Sequence, residues 1–77
     1  MGADAVSKEH AKEIQRVEEQ IQRAIPIGDV VETRRFTEGL VKNLAFSQYA
    51  VTRAIQIMIS RNELQHFNQQ RSLKRVR

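Results

Sequence analysis

The apolar pattern of the chain changes period after residue 61, and this change restricts the folds that the chain can adopt. Before it, apolar residues recur every three or four positions, which is typical of amphipathic helices. After it come two short segments, ELQHF at 63–67 and SLKRV at 72–76, separated by the polar sequence NQQR. This arrangement predicts a β-hairpin with a four-residue loop. Its candidate core residues are Leu64, Leu73 and Val76.

The helical region begins with one amphipathic segment that Pro26 must end, because the residue before a proline is pushed out of the α conformation. Ser7 is the predicted N-cap of this helix. The apolar stripe comprises Ala11, Ile14, Val17, Ile21, and Ala24 or Ile25. Gly28-Asp29 then indicates a turn, and the β-favouring valines that follow predict a short strand near residues 29–31.

Two further helices are predicted between this strand and the hairpin. Thr33 is the expected N-cap of a helix over about 34–44, and Ser47 the expected N-cap of one over about 48–61. The apolar positions of the earlier helix are Phe36, Leu40, Val41 and Leu44. The later helix has a wider apolar arc and should be the most buried: Ala50, Val51, Ala54, Ile55, Ile57, Met58 and Ile59. Asn62 suits a left-handed C-cap after it.

The order helix, short strand, helix, helix, hairpin predicts a winged-helix domain, a helix-turn-helix variant with a β-wing. Its class is α+β and mostly α, with three helices, a short strand and a C-terminal two-stranded wing. The 77 residues suffice for one small domain, whose folding buries roughly 60–65% of the unfolded surface. We expect this domain to span residues 8–77. Residues 1–7 are expected to be disordered, as a linker or as residues added by cloning.

Charge is distributed unevenly along the chain. Residues 1–32 contain four basic and seven acidic residues, a net −3, whereas residues 33–77 contain nine basic and two acidic residues, a net +7. A one-sided basic surface favours polyanions or an acidic protein face, although a merely solvated surface is the simpler explanation. Since no apolar run is long enough to span a bilayer, we expect no membrane contact.

The sequence offers no pattern typical of catalysis or cofactor binding. It lacks cysteine and a GxxxxGK[ST] phosphate-binding loop, and His10 and His66 lie on different predicted elements without a carboxylate at ligand spacing. We therefore expect this segment to be no enzyme and to hold no cofactor or metal. His66 is expected to be half-buried. The aromatic residues expected in the core or at its edge are Phe36, Phe46, Tyr49 and Phe67.

Two stretches give the sequence a family resemblance. EIQRVEEQIQRAIPIGDVV at 13–31 runs from a helix into an IG turn, and AIQIMISRNELQHFNQQRSLKRVR at 54–77 leads into the basic hairpin. Together they resemble the C-terminal winged-helix domain of eukaryotic minichromosome maintenance (MCM) replicative helicase subunits, most closely the subunit-five paralogue. The resemblance covers roughly residues 13–77, although residues 32–53 match only in pattern.

The resemblance implies a nuclear parent protein, one of six related subunits of an ATP-dependent helicase ring that is loaded at replication origins. ATP and Mg²⁺ are expected only in an ATPase domain upstream of this segment. The segment itself is expected to be a monomeric, tethered accessory module. Its implied partners are other subunits of the ring and replication-loading factors, with weak, non-specific contact to DNA during loading and unwinding.

Two surfaces are candidates for these contacts. The stronger is the wing with nearby Arg61, whose cations would meet DNA phosphates or an acidic partner: Arg61, Arg71, Lys74, Arg75 and Arg77. Because side chains alternate along a strand, these cations cannot all share one face. The weaker is the outer strip of the third helix, which would enter the major groove: Gln48, Tyr49, Thr52, Arg53 and Gln56. One arginine on this strip is too few to hold phosphates, so we do not expect operator-type binding.

Two alternatives remain open at this point. A stand-alone winged-helix DNA-binding transcription regulator would need a dimer seam, for which Ile14, Val17 and Ile21 are the candidates, and sedimentation would reveal it. A pure protein-docking module would show no DNA affinity. Charge reversal on the wing would then abolish partner binding without changing DNA retention.

Overall fold

The computed structural model describes the backbone of residues 2–77 and the side chains of residues 10–77, leaving Met1 outside the described residues. Its elements in chain order are α1 (Gly2–Ala24), β1 (Val30–Glu32), α2 (Thr33–Lys42), α3 (Gln48–Ser60), β2 (Leu64–Phe67) and β3 (Ser72–Arg75). The fold is α+β and mostly helical, with a three-stranded antiparallel sheet and a closing hairpin, which confirms the winged-helix prediction. Within the described residues, no helix is both long and apolar enough to cross a membrane.

Helix α1 is longer than the sequence predicts. It begins at Gly2, so Ser7 lies inside the helix and is not its N-cap. The division into residues 1–7 and a domain over 8–77 stays a prediction, because a helical backbone alone does not define a domain boundary. At the other end, the Ile25 amide donates to the Ile21 carbonyl at 2.9 Å, and Pro26, which has no N–H, ends the helix as predicted.

The turn after Pro26 sets up the first strand. Gly28 has a φ of +93°, a conformation that glycine adopts without steric cost, and the Asp29 amide donates to the Pro26 carbonyl at 3.0 Å. This geometry confirms the predicted Gly28-Asp29 turn. Strand β1 follows at Val30–Glu32, one residue later than expected.

Helix α2 differs from its prediction at both ends. Its N-cap position is Glu32, which makes no side-chain cap hydrogen bond, and Thr33 is already helical. Thr33 is therefore not the N-cap: its amide donates at 2.9 Å to the Arg71 carbonyl, extending the sheet, and its buried hydroxyl has no partner. The helix ends at Lys42, and Leu44, which the sequence predicts to be an apolar position of this helix, is exposed in the loop beyond it.

Helix α3 agrees closely with its prediction. The Ser47 hydroxyl accepts a hydrogen bond from the Ala50 amide at 3.1 Å, so Ser47 is the N-cap. Asn62 has a φ of +61°, the left-handed conformation expected after the helix. Among the side chains of residues 10–77, five of the eleven that are buried and apolar lie on α3, more than on any other element: Ala50, Val51, Ala54, Ile55 and Met58.

The core lies between α1, α3 and the inner face of the sheet. Helix α1 contributes Val17 and Ile21, and Ile25 directly follows its last residue; all three have no exposed area. The strands are ordered β1-β3-β2, so β3 pairs with both of the others, and it contributes Leu73 opposite Val31. The remaining core members are Leu40 on α2, Leu64 on β2 and the five residues of α3.

Val76 does not belong to this core, contrary to the prediction. Its side chain is 37% exposed, whereas Leu64 and Leu73 are buried as expected. Side chains alternate along a strand, so Val76 lies on the same side as Lys74, away from the helices. The apolar character of residue 76 therefore does not reflect packing against α3.

Candidate interaction surfaces

The wing is a hairpin whose turn is held in a left-handed backbone conformation. Phe67 pairs with Ser72 across the hairpin, and the Arg71 amide donates to the Asn68 carbonyl at 3.1 Å. The two residues between them, Gln69 and Gln70, have φ values of +55° and +71°. Asn68 also has a positive φ, +50°, so three consecutive loop residues are left-handed, and the two central ones meet the φ requirement of a type I′ turn. The predicted four-residue loop at 68–71 is thus confirmed.

Two of the five predicted contact cations are engaged within the fold. The Arg61 guanidinium donates to the Glu18 carboxylate at 2.8 Å, linking the end of α3 to α1. Arg75 donates to the carbonyls of Gln22 and Ile25, both at 2.9 Å, and so caps the C-terminal turn of α1. A cation at that end also interacts favourably with the helix dipole. A role for Arg61 and Arg75 in outside contacts stays a prediction, and any such contact would have to use the guanidinium N–H groups that these internal bonds leave over.

The other three cations face outward from the wing. The side chains of Arg71 and Arg77 are exposed. Lys74 is half-buried, and its ammonium lies 5.6 Å from the centre of the Phe67 ring, within the range of a cation–π contact. The Arg77 carbonyl accepts a hydrogen bond from the Arg75 side chain, which fixes the backbone after β3. Of the predicted cations, these three are placed best for contact with another molecule.

The outer strip of α3 is exposed along its length, as a recognition helix would require. Gln48 donates to the Thr52 hydroxyl at 3.3 Å, and Arg53 donates to the Gln56 side chain at 3.1 Å. These bonds run along the helix and are solvent-exposed, so little would be lost if a ligand replaced them. Whether these four residues contact DNA remains a prediction.

Several aromatic and histidine residues lie closer to solvent than the sequence predicts. Tyr49 is 54% exposed and packs edge-to-face on His10, with ring centres 4.8 Å apart. Phe67 is 44% exposed, and His66 is also exposed rather than half-buried. Phe36 and Phe46 pack against the core as expected. The strand positions of residues 66 and 67 explain the error, since β2 is an edge strand and only Leu64 in it is buried.

A half-buried carboxylate, for which the sequence gives no signal, joins α1 to the N-terminus of α3. Glu13 accepts hydrogen bonds from the Ser47 amide at 2.8 Å and the Ser47 hydroxyl at 3.0 Å. These bonds, with the amide as the larger contributor, hold the pKa of Glu13 below its ordinary value of 4.5, although partial burial opposes them. No local signal reveals this contact, because the two residues are 34 positions apart.

A shallow groove separates the N-terminus of α2 from the wing loop. It is lined on one side by Glu32, Thr33 and Arg34, and on the other by residues 68–72. Arg34 pairs with Glu38 one helical turn away, at 3.2 Å, which is an exposed and weak ion pair. With one carboxylate beside two arginines, this groove is not strongly cationic.

The sequence matches the model of a known protein family. The family model described as "MCM5, C-terminal domain" matches residues 16–75. No curated protein sequence matches the chain at a significant level. The matched range begins within α1 and ends at the last residue of β3, so it includes the complete sheet and all of α2 and α3.

Proposed function

Because the chain belongs to the family of MCM5 C-terminal domains, we propose that it is a tethered accessory module that acts through weak contacts during helicase loading and DNA unwinding. The family places it in the context of DNA replication, as part of an MCM helicase subunit. Its partners would be other subunits of the ring and loading factors, in the nucleus. The module itself would bind no nucleotide and catalyse no reaction, and ATP and Mg²⁺ would act in the ATPase domain of the parent.

The contact that we assign to DNA is made by the wing. The observation that carries this assignment is the outward position of three cations: Arg71 in the wing loop, Lys74 on β3 and Arg77 just beyond β3. Three cations suffice for a weak, sequence-independent contact with phosphates. Tethering to the ring would raise the effective concentration of such a contact to roughly the millimolar range, so a weak affinity is sufficient.

A salt titration with a short DNA duplex tests this contact. Three phosphate contacts predict a slope of about −2.7 in a plot of log affinity against log salt, or roughly a 40-fold loss between 50 and 200 mM. Arg71→Gln should reduce the slope by about 0.9. The matched control is Arg23→Gln, which removes one exposed arginine from α1 instead. Affinity that ignores salt, or an equal effect of both variants, would refute the wing as the DNA contact.

The residues that would form the dimer interface of a transcription regulator are part of the core in this fold. Val17 and Ile21 have no exposed area, and Ile14 packs against the same core. A dimer through this stripe would require α1 to leave the domain. We therefore expect the chain to sediment as a monomer at micromolar concentration, and a stable dimer would revive the alternative.

A further inference from the structure

The outer face of the sheet, the side turned away from the helices, carries an unusual set of side chains. Leu73 and Val31 pair across β3 and β1 on the inner face. The neighbouring rows therefore point outward, since side chains alternate along each strand. We call their members, with Val76 beyond β3, the outer sheet face: Val30, Lys74 and Gln65 in one row, Glu32, Ser72 and Phe67 in the next.

Three apolar side chains of the outer sheet face are exposed to solvent. Val30 is 48% exposed, Phe67 44% and Val76 37%. A single exposed apolar residue needs no explanation. These three, however, lie on β1, on β2 and just after β3, so they surround Lys74. Exposed apolar side chains grouped on one face among polar residues are typical of a protein interaction site.

Lys74 determines what could cover this patch. Its backbone lies between Val30 and Gln65 in register, and its ammonium lies over the Phe67 ring. An entirely apolar partner would bury the ammonium without a counter-charge, which costs several kcal/mol. A partner must therefore bring a carboxylate to Lys74 together with apolar side chains for its neighbours.

The outer sheet face is less suited to DNA than to such a partner. Phosphate contacts gain nothing from valine or phenylalanine side chains, and Glu32 at one corner would repel a phosphate. The cations assigned to DNA, apart from Lys74, are at the loop and beyond β3 rather than in the middle of this face. The two contacts can thus be separated by mutation.

We infer that the outer sheet face docks an acidic, apolar segment of a partner protein, with a carboxylate on Lys74 and apolar side chains over Val30, Phe67 and Val76. This inference rests on the proposed function, since it specifies the protein contact of the accessory module. It adds a surface that shares only Lys74 with the DNA contact, and a ligand chemistry that differs from that of DNA.

The inference can be tested by screening a displayed library of random ten-residue peptides for binding to the 77-residue chain. Peptides that combine carboxylates with aliphatic or aromatic residues should be enriched, and they should shift the NMR amide signals of Val30, Gln65 and Lys74. The double variant Val30→Thr and Phe67→Thr keeps β-favouring residues and should weaken the enriched peptide about tenfold or more. Leu44→Ser, which removes an apolar residue that is 46% exposed elsewhere, should change affinity less than about twofold.

Charge reversal provides a test that does not depend on the stability of the double variant. Lys74→Glu should switch the enriched peptides from acidic to basic, because the carboxylate partner is then repelled. Three results would overturn the inference: no enrichment, enrichment of uncharged or basic peptides by the native chain, or self-association through the same amides. DNA affinity that is unchanged in the double variant, but falls with a shallower salt slope in Arg71→Gln, would leave the proposed DNA contact intact, so the two failures are distinguishable.

Discussion

Leu73 and Lys74 are neighbours on β3, yet their side chains lie on opposite faces of the sheet, and these two faces have different roles. On the inner face Leu73 is fully buried and packs in the core with residues of α1 and α3. On the outer face Lys74 is surrounded by apolar side chains that are a third to a half exposed. The domain thus derives its stability from one side of a thin sheet, which leaves the other side available for contact with other molecules.

The largest difference between the faces should appear when an apolar side chain is removed from each. Leu73→Ala leaves a cavity in the core and should lower the free energy of unfolding by about 2–5 kcal/mol. Val76→Ala, three residues further on, should lower it by less than about 0.5 kcal/mol. Urea denaturation followed by circular dichroism measures both. Similar losses for the two variants would mean that the outer face also stabilises the fold.

A smaller effect should come from the link between α1 and α3. Glu13→Gln removes the charge that accepts from the Ser47 amide and hydroxyl, and should lower the free energy of unfolding by about 1–2 kcal/mol at pH 7. Because the pKa of Glu13 is lowered in the folded state, its contribution is present above the unfolded pKa, near 4.5, and is lost as the pH falls through the folded value. The difference between native chain and variant should therefore shrink below about pH 4.5. A constant difference down to pH 3 would show that the charge of Glu13 is unimportant.

The smallest effect concerns the wing turn. Gln70 has a φ of +71°, which costs a non-glycine residue about 1 kcal/mol, so Gln70→Gly should stabilise the domain by roughly 0.5 kcal/mol. Gln65→Gly, the same change within β2, should instead destabilise it by about 0.5–1 kcal/mol. Thermal unfolding of the two variants gives the comparison. A loss of stability in both would contradict the type I′ geometry of the turn.

The features that the sequence predicts correctly are those encoded by neighbouring residues. Pro26 ends α1, Ser47 caps α3, and the polar loop at 68–71 reverses the chain, each through chemistry within a few positions. Leu73 could likewise be assigned to the core from its isolation among polar residues. These local signals fix the order of the elements, which is sufficient for the fold class.

The features that the sequence does not reveal depend on residues far apart in the chain. Thr33 fails as an N-cap because its amide continues the sheet to Arg71, and Arg75 is drawn inward by the carbonyls at the end of α1. The pairing of Glu13 with Ser47 is of the same kind. The distribution of charge along the sequence therefore indicates a basic wing. It does not show which of the wing cations can bind another molecule, since that depends on the tertiary fold.

The strand order has a consequence for how the domain is made. Strand β3 is the central strand, although it is the last of the three to be synthesised. Until residues 72–75 leave the ribosome, β1 and β2 have no common neighbour, and Arg75 cannot reach the end of α1. A nascent chain stalled before residue 72 would thus have no complete sheet. The apolar residues of the helices that pack against Leu73 in the folded domain would then be exposed to chaperones.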